Sequence, residues 1–113
     1  MKTIYRVENE FGKGCYRDEN TKEILQNHAC YCNSISNEHP LSLCDKGINR
    51  NIKDNEISGF LNLKQALKWF TFQELKDLRV LGYQLKKLTV KKITAISENQ
   101  VLAIRWKNSF LNY

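Results

Sequence analysis

The sequence predicts an α+β fold: a small, mostly antiparallel or split sheet of about four to five strands with a central helical pair. Three observations predict it. Period-two alternation in "TIYRVE", "YQLKKLTVKKI" and "NQVLAIRW" marks strands towards both ends of the chain. A capped stretch with helical period lies between them. No internal repeat or linker divides the 113 residues, so residues 1–113 read as one domain.

In chain order, "TIYRVE" comes first. Tyr5 and Val7 alternate with Ile4, Arg6 and Glu8, which sets Arg6 on the face of Ile4. "EFGKGCYR" reads as a glycine-relieved loop. Residues 18 to 56 are rich in Asn, Asp and Ser with little sustained period, save a short helix from about Thr21 to Asn27. Pro40 disfavours helix at His39. A short strand at "ISGF" leads to Asn62, an N-cap with Gln65 three residues on. Leu63, Ala66, Leu67 and Phe70 then share one helical face, with Leu67 and Phe70 expected in the core. Thr71 and Glu74 form a capping box for a second helix, whose apolar side is Leu75, Leu78 and Leu81 and whose stop is Gly82. In the following strand the apolar phase slips at Lys86–Lys87, which predicts a bulge there. The strand "NQVLAIRW" is the last, and "KNSFLNY" is a tail.

The composition is 42% hydrophobic and 27% charged, that of an ordinary globular domain. No apolar run reaches the roughly 18 residues of a membrane helix, and the N-terminus lacks a secretory signal. The expectation is a cytoplasmic protein that engages no membrane. The net charge of +6 favours acidic partners such as nucleic acid, nucleotides or a nucleoprotein. Lys86, Lys87, Lys91 and Lys92 concentrate that charge around one strand, with Lys64, Lys68 and Lys76 on the helices. Such a stripe would contact phosphates; equally, it would be a solvated sheet edge.

His28, Cys30, Cys32, His39 and Cys44 are soft or borderline ligands close in sequence, but there is only one close cysteine pair, and its Cys-x-Cys spacing is not that of a structural zinc site. No metal is expected. Cys15 and Cys44 are nucleophile candidates only if a histidine meets them in space, and nothing in the sequence pairs them.

Three pieces, "IYRV", "GFLNLKQALKWF" and "ENQVLAIR", follow an order that resembles the ADP-ribosyltransferase superfamily. The resemblance implies an NAD-binding core with NAD as co-substrate and no resident cofactor. Arg6 would hold the NAD ribose or phosphate, Tyr16 and Phe60 would line the cofactor, and Glu98 or Gln100 would act beside the nicotinamide ribose. A carboxylate there would stabilise developing positive charge, so Glu98 is the stronger electrostatic candidate. The chain has no Ser-Thr-Ser strand, and its late segment reads Glu98-Asn99-Gln100 where that pattern has a Glu-x-Glu pair. The same segments resemble small phage and prophage proteins. Two functions follow as expectations. One is a phage or mobile-element accessory protein acting on a host factor through a transferase-like core. The other is a non-enzymatic inhibitor, of the anti-CRISPR type, that binds a host nucleoprotein or its RNA through a basic face.

Overall fold

The computed structural model describes residues 2–26, 28 and 45–106. Its regular elements are strands β1 (Lys2–Glu8), β2 (Glu56–Gly59), β3 (Gln84–Ile96) and β4 (Val101–Arg105), with helices α1 (Leu63–Trp69) and α2 (Phe72–Val80) between β2 and β3. This is the predicted α+β fold, with four antiparallel strands in the order β1-β3-β4-β2.

The sheet curls until its two outer strands meet. Tyr5 and Phe60 exchange both backbone hydrogen bonds, each 2.7 Å, so β1 touches the end of β2. Gly59 permits this approach: a Cβ there would lie 2.6 Å from the Tyr5 carbonyl oxygen and 2.8 Å from Ile4 Cδ1. The curl has its source in β3. Register shifts between Val90 and Lys92 and between Ile93 and Ala95 insert extra residues opposite β4, and each such bulge bends its strand.

The bulges are not at Lys86–Lys87. Pairing with β1 runs unbroken there, from Lys2↔Val90 to Glu8↔Gln84. The apparent slip has another cause, because both faces of the sheet are covered. Leu85 packs towards the helices while Leu88 packs inside the curl, so the apolar phase changes without any change in backbone register.

Two cores result. Inside the curl lie Ile4, Val90, Val101 and Ala103, joined by Ile57, Leu88 and Ile93, so every strand contributes. Between the outer face and the helices lie Val7, Cys15, Leu25, Phe60, Ala66, Trp69, Phe70, Leu78 and Tyr83. The predicted caps form: Asn62 accepts from the Gln65 amide at 2.9 Å, and Thr71 and Glu74 complete their capping box. Gly82, at φ 92, ends α2 in the left-handed conformation that favours glycine.

The buried faces differ in detail from the expected ones. Phe70 is buried, but Leu67 is 37% exposed and Leu63 is exposed too, because α1 turns Ala66 and Trp69 inward. Leu81 is likewise exposed, beyond the last turn of α2. The helix expected from about Thr21 is replaced by 3-10 turns at Cys15–Arg17 and Glu19–Thr21 and further turns over residues 22–26. Thr21 lies buried there, its hydroxyl donating to the Cys15 and Asp18 carbonyls. Such side-chain bonding to local backbone competes with a regular helix.

Candidate functional site

Alternation along β1 directs Ile4, Arg6 and Glu8 to the inside of the curl. Apolar side chains fill most of that interior, but one end is charged. Arg6 Nε donates to Glu8 Oε2 at 3.1 Å, and Arg105 donates to the same oxygen. Lys86, opposite Arg6 in register, places Nζ 4.0 Å from Glu8 Oε1 and donates to the Asn9 carbonyl at 3.1 Å. Three cations therefore surround one carboxylate. The Arg6 side chain is 12% exposed and that of Glu8 3%. Burial pushes the Arg6 guanidinium below its ordinary pKa, and the charge of Glu8 opposes that shift.

Arg6 also closes the seam. Its Nη1 donates to the Ser58 carbonyl at 2.7 Å, next to the single Tyr5–Phe60 bridge. An edge carbonyl of β2 is thus satisfied by a side chain rather than by β1 backbone. The loop after β1 folds over the same group, for a Cβ on Gly14 would fall 2.9 Å from Arg6 Nη2.

The other expected transferase residues occupy different surroundings. Gln100 is buried, with its side-chain amide donating to Asp45 Oδ2 at 3.1 Å. Ser97 donates to the same oxygen at 2.6 Å, and its hydroxyl accepts from the Gln100 amide N–H at 3.0 Å, which locks the turn from β3 to β4. Gln100 precedes β4 in the opposite phase to the inward-facing Val101 and Ala103, whereas Arg6 faces inward. Glu98 is exposed at that turn, where its carbonyl accepts from Gln65 Nε2 at 2.9 Å.

Tyr16 and Phe60 belong to an aromatic cluster beneath the helices. Phe60 lies 5.5 Å from Trp69 and 5.9 Å from Phe70 between ring centroids, and Tyr16 stacks on Phe70 at 6.4 Å. Trp69 Nε1 donates to the Tyr16 hydroxyl oxygen at 2.6 Å. That hydroxyl meets His28 Nδ1 at 2.5 Å, and His28 Nε2 meets Glu74 Oε2 at 3.0 Å. A carboxylate only accepts, so Nε2 carries the proton and, in the neutral ring, Nδ1 accepts from Tyr16. Both ring nitrogens of His28 are engaged, and binding zinc through either would break this chain. Cys30, Cys32, His39 and Cys44 lie outside the described residues. Among the described residues, no three His, Cys, Asp or Glu side chains are grouped to hold a metal ion. Cys15 is buried in the outer core, away from solvent.

The lysines do not share one face. Lys86 faces the Glu8 cluster, while Lys87 pairs with Tyr5 on the opposite face and is exposed, as are Lys91 and Lys92. Among the described residues no helix is long and apolar enough to cross a membrane.

One carboxylate outside these clusters carries a pH dependence. Glu56 accepts from Arg50 at 2.7 and 2.8 Å, from the Lys53 amide at 2.9 Å and from the Thr94 hydroxyl. The Arg50 hydrogen bonds lead in lowering its pKa to about 2, against the ordinary 4.5, with burial opposing. A depressed carboxylate stabilises the fold above its unfolded pKa and loses that contribution as pH falls through the folded value. Glu56→Gln should therefore flatten the fall in stability between pH 4.5 and about 2 by the share that this group contributes, as read by urea midpoints across that range.

Comparison with known families settles the origin. A family model described as Bacteriophage T4 Y00F protein matches residues 1–110. The chain belongs to that family. It is a phage protein, in keeping with its resemblance to small phage and prophage proteins. The match spans both helices and all four strands, so the Glu8 cluster and the exposed lysines of this Y00F-family protein lie within it. No curated protein matches the chain, and no solved structure matches it.

Glu8 and Arg105 join the site without being sequence candidates for it. Their signal was strand phase: Glu8 is in step with Ile4, and Arg105 with Val101 and Ala103. The Tyr16–His28–Glu74 chain had no such signal, since its members come from three separate segments.

Proposed function

We propose that this phage accessory protein acts by binding, in the host cytoplasm, and that its partner is a nucleic-acid-handling host complex whose phosphates meet the exposed lysines of β3. The observation that carries the reading is a division of charge. Arg6, the residue an NAD site would need, is engaged by Glu8 and Ser58, whereas Lys87, Lys91 and Lys92 stand in solvent. Lysine binds phosphate as a point charge and needs no shaped pocket. An inhibitor that occludes a host nucleoprotein, as anti-CRISPR proteins do, is the form this takes.

A transferase reading asks for Arg6 and Glu98 or Gln100 around one NAD molecule. That would require Arg6 to leave its partners in the curl. The two readings separate in one set of titrations with a single-stranded RNA oligonucleotide and with NAD. Binding to RNA should weaken with salt by about 0.7 in log affinity per log salt for each phosphate neutralised. Replacing Lys87, Lys91 and Lys92 by Gln should flatten that slope by roughly 2. NAD should leave the melting temperature unchanged. RNA binding that is absent, or indifferent to the three changes, would overturn the proposal. So would a thermal shift with NAD that disappears in Arg6→Lys.

A further inference from the structure

The solvent face of α2 has an unusual make-up. Phe72 and Val80 are 77% and 82% exposed, more than any other large hydrophobic side chain among the described residues. They stand eight positions apart, with Lys76 and Arg79 between them at helical spacing, so the four side chains form one stripe. All four are exposed. The buried side of the helix is Leu78, with Leu75 partly covered. The two carboxylates of α2 are engaged within the protein. Asp77 accepts from Gln73 at 2.9 Å, and Glu74 holds the N-cap and His28. The stripe thus offers apolar surface and two cations, with Asp77, next to Lys76 in the chain, as the one carboxylate at its side.

We infer that this stripe is a docking surface for an acidic protein segment, one that presents apolar side chains flanked by Asp or Glu. Charge complementarity selects that occupant. A second copy of the chain would bring Lys76 and Arg79 against their own counterparts, and like charges in an interface are costly. A nucleic acid would satisfy the cations but not Val80, which has no ring on which a base could stack. A protein segment meets both requirements, since apolar anchors give the contact and rim charges give orientation and encounter rate. This surface is separate from the β3 lysines, so the inference does not depend on the nucleic-acid reading.

Two synthetic amphipathic peptides of equal leucine content, one rich in Asp and Glu and one rich in Lys, provide the probes. Fluorescence anisotropy should show the acidic peptide binding, more weakly as salt rises, and the basic one failing to bind. Phe72→Ser with Val80→Ser should raise the dissociation constant of the acidic peptide at least tenfold. Lys76→Glu with Arg79→Glu should abolish its binding and admit the basic peptide. All four sites are exposed, so both variants should keep the wild-type melting profile, and RNA binding should be unchanged in the first. The inference is overturned if neither peptide binds, or if acidic-peptide binding survives both variants. It is also overturned if sedimentation shows a wild-type dimer that the serine variant dissolves, or if RNA or anionic phosphatidylserine vesicles prove to engage the same four residues.

Discussion

Glu8→Gln is expected to destabilise the protein by about 3–5 kcal/mol, the range for removing one partner of a buried ion pair. Glu8 is bonded to both inward cations, Arg6 and Arg105, and its side chain is 3% exposed. The amide of glutamine keeps the shape and one acceptor oxygen but removes the charge. Two guanidinium groups then remain inside the curl beside a neutral side chain, with Lys86 nearby. The loss is a large part of the 5–15 kcal/mol typical of a domain. Urea unfolding followed by tryptophan fluorescence measures it. A cost below about 1 kcal/mol would mean that water, rather than Glu8, balances these cations.

Trp69→Ala should cost about 3–5 kcal/mol as well, by a different route. The side chain is 7% exposed and packs on Phe60, so truncation opens a cavity in the outer core. It also removes the indole N–H that donates to Tyr16 at 2.6 Å, in the chain that continues to His28 and Glu74. Trp69→Phe keeps much of the ring volume and loses the donor. Calorimetric unfolding should therefore rank wild type above Trp69→Phe, and Trp69→Phe well above Trp69→Ala. Equal losses in the two variants would assign the effect to the hydrogen bond, and a negligible loss in Trp69→Ala would remove Trp69 from the core.

Much of the fold is legible because local chemistry and tertiary structure agree. Asn62, the Thr71–Glu74 box and Gly82 mark helix ends by short-range bonding or a backbone requirement that needs no distant partner. The strands are legible from alternation. What escapes is the part decided at long range. Leu85 and Leu88 look like a broken phase until both faces of the sheet are known to be covered. Leu67 scores as core on a helical wheel, yet a helix of only seven residues settles on whichever side meets the neighbouring aromatics, here Trp69 and Phe70. The site follows the same rule. Phase alone puts Arg6 on the face of Ile4, but only the curl of the sheet makes that face an interior and brings Arg105, from the last strand, onto Glu8. Proximity in sequence groups His28 with cysteines, whereas its partners Tyr16 and Glu74 lie 12 and 46 positions away.

The central claim is that Arg6 belongs to the internal charge cluster of the curled sheet and not to a ligand cleft. A double-mutant cycle on Arg6→Met and Glu8→Gln, read by urea unfolding, tests it most directly. Glu8→Gln should be strongly destabilising, because it leaves both guanidinium groups buried beside a neutral side chain, and Arg6→Met should be destabilising to a smaller extent, because Arg105 still balances Glu8 while the Ser58 carbonyl loses its donor. The double variant should be more stable than the sum of the two losses implies, with a coupling towards the upper end of the roughly 0.5–3 kcal/mol found for residues in contact. Losses that add to within about 0.5 kcal/mol would contradict the claim, since they would mean that Arg6 and Glu8 act independently and that the arginine is available to something else.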